Sequence, residues 1–181
     1  MIGETINAPY AEKFTVSNVF SSDMVVQRGE HIRVWGFADA SENGHKVSGE
    51  FMGMFAEARI ENGAWTLTFG ARLSACAEQG NSMRIYTDKT AFVFENVLVG
   101  DVFMVIGQSN VAYSMAAHRA AVPEAERGGV GYDVPSTPIR LHYNSLTQET
   151  GVTRGTEEVC AELCNRETWK RADAAALQDF S

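Results

Sequence analysis

The chain has 181 residues, 45% hydrophobic and 21% charged, enough apolar material for one large or two small domains with a buried core. A formal net charge of −8, a pI of about 5.0 and no basic stripe argue against a nucleic-acid backbone or an anionic membrane surface as partner. No run approaches the roughly 18 apolar residues of a membrane span. Met1 to Pro9 is mostly polar and reads as no signal peptide, which favours a cytoplasmic location.

From Phe14 to Val99 the chain alternates short strand-like runs with turns. The predicted strands are Phe14–Phe20, Met24–Gln27, His31–Phe37, Lys46–Phe51, Met54–Ile60, Trp65–Phe69, Ser82–Thr87 and Ala91–Val97. Trp65, Leu67 and Phe69 alternate with Thr66 and Thr68, the period of a half-buried strand. Glu61-Asn62-Gly63 predicts a hairpin turn, because Asn and Gly tolerate positive φ. Regular strand spacing without a convincing helix predicts an antiparallel β-sandwich over residues 1–99.

At Gly100 the pattern changes. Val102–Ile106 is an uninterrupted apolar run, as expected of a strand buried on both faces. It leads into Gly107-Gln108-Ser109-Asn110 and a helical stretch from Val111 to Ala121. A loop from Pro123 to Pro138 precedes a second predicted strand, Ile139–Tyr143, and a short weak helix, Asp173–Phe180, closes the chain. Strand, helix, loop and strand open a parallel α/β domain over residues 100–181. One such unit leaves a sheet edge and its faces uncovered, so the chain reads as the front part of a longer protein.

Strand, tight turn, serine and helix start form a recurring way to present a nucleophile. The strand fixes Ser109, Gly107 allows the sharp turn, and N–H groups at the helix start face a developing oxyanion. A serine hydroxyl also needs a general base. His118 lies nine residues beyond Ser109 on the same predicted helix, roughly 13 Å away, too far for a direct hydrogen bond. His142, at the end of the second predicted strand, is the one substitute that geometry permits, and it reads more simply as a polar strand-end residue. His31 and His45 read as surface residues of the β-region. Asp101 opens the strand that Ser109 closes and reads as a structural residue at the junction. Trp35, Trp65 and Trp169 read as core rather than as sugar-stacking platforms. Cys76, Cys160 and Cys164 lack framework spacing and a second ligand pair, so free thiols and no metal are expected.

Three blocks resemble the sialate O-acetylesterase family of carbohydrate esterases, within the SGNH-hydrolase group. The first is Val19-Phe20-Ser21-Ser22-Asp23-Met24-Val25-Val26-Gln27-Arg28, the second Ile32-Arg33-Val34-Trp35-Gly36-Phe37-Ala38. The third and most specific runs from Asn96-Val97-Leu98-Val99-Gly100-Asp101-Val102 to Gly107-Gln108-Ser109-Asn110. A weaker match runs from Ile139-Arg140-Leu141 to Trp169 and Phe180-Ser181. The resemblance implies a β-sandwich followed by the first part of an SGNH-like α/β/α domain. It implies hydrolysis of acetyl esters on a sugar such as sialic acid, with no cofactor. It assigns Ser109 as nucleophile and matches Gly107, Gln108 and Asn110 to the oxyanion and motif positions. Phe103 stands where the family usually has Trp, Val111 where it has Met, and Val105-Ile106 replaces a smaller pair. The family's further oxyanion donors and its Asp-x-x-His have no counterpart in these residues, so the expectation is a nucleophile without its base. The competing reading is a non-catalytic glycan- or protein-binding β-sandwich module; a third is an esterase that takes its base from another subunit.

Overall fold

A computed structural model describes residues 14–17, 19–77, 80–105, 113–126, 138–142 and 168–179. Their regular structure is mostly β-strand, with few and short helices. Strands β1 (Phe14–Val16), β3 (His31–Ala38) and β6 (Ala64–Arg72) form one antiparallel sheet in the order β1-β3-β6. Strands β4 (Lys46–Phe51), β5 (Met54–Arg59), β7 (Met83–Tyr86) and β8 (Ala91–Phe94) form a second antiparallel sheet, ordered β5-β4-β7-β8. Between Gln27 and Gly100 runs a short parallel pair, β2 (Val25–Gln27) with β9 (Leu98–Gly100).

Local sequence explains most of these elements. In β3, Ile32, Val34 and Gly36 are buried while His31, Arg33, Trp35 and Phe37 face outward. In β6, Trp65, Leu67 and Phe69 point inward and the intervening threonines outward, as their alternation predicts. Glu61 and Ala64 bridge across the expected turn, with Asn62 at φ 52° and Gly63 at φ 76°. Met52 and Gly53 repeat this at the β4–β5 hairpin with φ of 47° and 76°, the positive-φ pair that matches the strand twist. The predicted break between Lys46–Phe51 and Met54–Ile60 falls on this turn, although methionine is a poor choice for that conformation.

Both large sheets turn their apolar faces into one core. Val34, Leu67 and Phe69 from the first meet Val47, Phe51, Met83 and Ile85 from the second, and Met24, Val26, Val97 and Val99 close one side. The Phe51 and Phe69 rings pack edge to face at 6.3 Å. Burying each such side chain is worth roughly 1.5–3 kcal/mol against leaving it in water. The closest approach is at Gly36: a Cβ there would lie 2.0 Å from the Thr15 carbonyl oxygen and 2.5 Å from the Trp65 ring. That space lets Trp65 stack on Phe14 at 5.1 Å and donate its indole N–H to Thr15 O at 3.2 Å.

Past β9 several expectations are corrected. The strand predicted over 102–106 is absent from the described 101–105: Phe103 and Met104 are 84% and 85% exposed and join no ladder. An apolar run becomes a buried strand only where neighbouring strands and covering layers reach it, and the β2–β9 ladder stops at Gly100. Of the predicted helix over 111–121, the described residues 113–121 hold α1 (Met115–Ala121), which the Ser114 side chain caps by accepting from Ala117 N at 3.2 Å. The predicted strand over 139–143 is reduced to β10 (Arg140–Leu141), which pairs antiparallel with β11 (Lys170–Arg171) rather than parallel. The closing helix is α2 (Ala174–Asp179), capped by the Asp173 carboxylate, which accepts from Ala175 N and Ala176 N. Trp35, read as core, is 39% exposed and packs edge-on against Phe20 at 4.6 Å; Trp65 alone of the three tryptophans is fully buried. No helix among the described residues is long and apolar enough to cross a membrane.

Gly36→Ala is expected to destabilise the chain by about 2–3 kcal/mol, in the range of overpacked cores, because a backbone oxygen, not a flexible tip, occupies the space. Urea unfolding measures the loss and the near-ultraviolet signal of Trp65 reports the displaced ring. Unchanged stability would contradict the close approach of β1 to β3.

Candidate functional site

The predicted site residues Gly107, Gln108, Ser109 and Asn110 lie outside the described residues, as do Cys160 and Cys164. What is described is the framework leading to them. Strand β9 carries the chain to Gly100, and the end of β2 holds that exit. Arg28 N donates to Gly100 O at 2.8 Å. The Arg28 guanidinium donates to Asp101 Oδ1 at 2.8 Å, and the Gln27 side-chain oxygen accepts from Val102 N, also at 2.8 Å. The hydrogen bond and charge of Arg28 hold the Asp101 carboxyl below its ordinary range, and Asp101 in turn raises Arg28. Both side chains are about half exposed, so solvent screens the pair. Its effect is to set the direction in which residues 101–102 leave the sheet. Asp101 is thus hydrogen-bonded where the chain leaves β9, and it does not open a strand as the sequence predicts. Gln27 and Arg28 were not singled out as its partners, since their spacing from Asp101 carries no local signal.

A second cluster joins residues 138–142 and 168–173 to the same region. The Trp169 indole N–H donates to Val19 O at 2.7 Å, and Trp169 N donates to the Ser21 hydroxyl at 3.0 Å. Ser22 Oγ accepts from Glu95 N at 3.0 Å. Asp23, at φ 63°, pairs with Arg171 at 3.2 Å and faces Arg140 at 3.9 Å. The Arg140 side chain is 4% exposed, and burial pushes its guanidinium below the ordinary value against the opposing pull of Asp23. The His142 ring lies 5.3 Å from the Trp169 ring. His118 sits in α1 beside Tyr113, their rings edge to face at 6.1 Å. His31 is exposed; half-buried His45 pairs with Glu42 at 3.2 Å. Among the described residues no group of three or more His, Cys, Asp or Glu side chains is placed to hold a metal ion.

Residues 19–28 and 96–102 thus meet along β2 and β9, and residues 139–142 and 169–171 dock against 19–23. The segments brought together are far apart in sequence, and the first pair holds the chain where it leaves β9, at Gly100–Val102.

No family model matches the chain, and no curated protein matches it. Among solved structures it is similar to one described as a novel carbohydrate acetylesterase from Xanthomonas citri, at 20% identity and a TM-score of 0.57. The match covers 92% of this chain and 34% of that one, so the chain spans about a third of the length of the structure it matches. At that identity the likeness establishes a shared fold.

The Arg28–Asp101 pair gives a pH prediction with a defined sign. A carboxyl whose folded pKa is depressed contributes stability above its unfolded pKa and loses it as pH falls through the folded one. Wild type is therefore expected to lose an advantage over Asp101→Asn as the medium is acidified through the carboxylate range. Parallel melting curves at neutral and acid pH check this; a constant difference between the two proteins would contradict it.

Proposed function

We propose that this chain carries the nucleophile of a serine carbohydrate esterase that removes O-acetyl groups from sialic acid or a related sugar. The observation that carries the reading is the meeting of residues 19–28 and 96–102 across the β2–β9 ladder. These are two of the blocks on which the sequence resemblance rests, and together they hold the chain at the approach to Gly107-Gln108-Ser109-Asn110. A fold shared with a carbohydrate acetylesterase supports the same class of chemistry. In this reading residues 1–99 are a β-sandwich accessory domain and residues 100–181 begin an SGNH-like α/β/α domain.

The chemistry follows from the residue types. Ser109 Oγ attacks the acetyl carbonyl carbon while a general base takes its proton. The carbonyl oxygen becomes an oxyanion, held by the Ser109 backbone N–H and neighbouring motif groups. Collapse of this intermediate expels the sugar oxygen, which takes the proton back from the base. Water then attacks the acetyl-serine, releasing acetate and restoring the hydroxyl. Every step is proton transfer and acyl transfer, so no cofactor is required. In this reading Gly107 allows the sharp turn, and Gln108 and Asn110 fill the motif positions on either side of the nucleophile in sequence. Of the four histidines only His142 is open as a substitute base by its place in the sequence, and in this reading the base is supplied from outside these residues.

Base catalysis contributes about 10²–10⁴-fold and an oxyanion donor about 10²–10³-fold, and members of a catalytic unit are not additive. Alone, the 181-residue chain is expected to hydrolyse p-nitrophenyl acetate at only a residual rate. The longest natural reading frame containing it is expected to release acetate from O-acetylated sialic acid and to lose that activity on Ser109→Ala. Activity in the longer protein that survives Ser109→Ala would overturn the assignment. A longer protein that binds glycan without releasing acetate would favour the non-catalytic module instead.

A further inference from the structure

The outer face of the β5-β4-β7-β8 sheet carries a cleft of about 500 Å³, within the roughly 300–1,000 Å³ of small-molecule sites. The strand register builds it. Glu50 pairs with Phe55, Ser48 with both Glu57 and Tyr86, and Lys46 with Arg59, which sets these side chains on the face turned away from the core. Phe55 is 55% exposed, an aromatic ring standing in solvent at the cleft wall. Ser48 is 4% exposed and forms part of the lining.

The polar groups around the ring are braced before any ligand arrives. Lys46 Nζ contacts Glu57 Oε1 at 2.5 Å, and Arg59 Nη1 donates to Gly44 O at 2.6 Å. The Tyr86 hydroxyl donates to Glu50 at 2.8 Å, and the Arg84 guanidinium lies over the Tyr86 ring at 4.3 Å. Lys46 and Arg59 are balanced by Glu57 and Asp88, and His45 is tied to Glu42, so the lining carries no strong excess of either sign. Such a lining has no net charge with which to hold a phosphate or a polycation. It offers hydrogen-bond donors and acceptors side by side with one exposed aromatic face. A pyranose presents the complement: hydroxyls around its rim and an apolar C–H face.

We propose that this cleft binds a neutral saccharide, with Phe55 against the sugar's C–H face and Lys46, Glu57, Arg59 and Ser48 meeting its hydroxyls. The choice of a glycan draws support from the carbohydrate-esterase reading, but Ser109 is not part of the cleft lining, and the cleft holds a glycan rather than reacting with it. Its place on the β-region would keep a glycan near the protein while ester groups are processed elsewhere.

The test uses the full 181-residue chain, with xylotetraose, cellotetraose and mannotetraose as probes in separate amide NMR titrations at millimolar concentration. At least one is expected to shift amides of β4, β5 and residues 86–88, with Phe55→Ala weakening the affinity about tenfold. Ser109→Ala is expected to leave this binding unchanged, so failure of the esterase reading and failure of the cleft are separable. Phe55 is largely exposed, and unchanged melting of Phe55→Ala separates lost binding from lost folding. No response at these amides to any probe, an equal response in folded Phe55→Ala, or a response only to an extended peptide along edge strand β5 would overturn the proposal.

Discussion

The parallel pairing of β2 with β9 is the contact on which the order of this chain depends. It joins Val25–Gln27 to Leu98–Gly100, and the Arg28–Asp101 hydrogen bond at its end spans 73 positions of sequence. Closing so long a loop costs conformational entropy that one exposed ion pair does not repay. The compensation is apolar: Val26, Val97, Leu98 and Val99 are all buried, and Met24 beside them is 1% exposed. The ladder is thus fixed by the core, and the polar clamp sets only the direction of departure. Gln27 illustrates the division of labour, its backbone completing the ladder while its side chain takes the N–H of Val102.

The same core constrains the large sheets. Gly36 and Gly49 mark two close approaches, the first to Trp65 and the Thr15 carbonyl on neighbouring strands of its own sheet, the second to Leu67 and Phe69 of the facing layer. Close packing of this kind leaves few alternatives, because a strand shifted by one residue would turn its apolar set to water. The outward faces are then free to carry other chemistry. On β3 that face presents Trp35 and Phe37; on β4, β5 and β7 it presents the braced polar cleft with Phe55. Buried Glu42, 6% exposed, is met by Lys89 at 2.8 Å and by His45 at 3.2 Å. Losing one partner of such a group would leave a charge short of compensation in a poorly solvated place.

Residues 102–105 stand apart from this economy. Four apolar side chains in a row are exposed, between 42% and 85%, directly after a segment in which nearly everything apolar is buried. Hydrophobicity explains why they favour burial and does not supply the neighbouring strands that burial would require. The docking of Trp169 and Arg171 onto Val19, Ser21 and Asp23 shows how such neighbours are recruited here, through hydrogen bonds to a turn rather than through extension of a sheet.

Local grammar in the sequence was enough for part of the β-region. Alternation in β6 and the Asn62-Gly63 turn each depend on neighbours a few residues away, and each appears as read. The Gly107-Gln108-Ser109-Asn110 motif was likewise legible as residue types, while its surroundings lie outside the described residues. Contacts across long sequence separations were not legible. The parallel β2–β9 pair, the partners of Asp101, the antiparallel β10–β11 pair and the exposure of Trp35 all depend on which distant surfaces compete for the same space. The apolar run from Val102 shows the reason most directly. Its composition states a preference for burial, but only the tertiary arrangement decides whether a ladder and a covering layer are there to satisfy it.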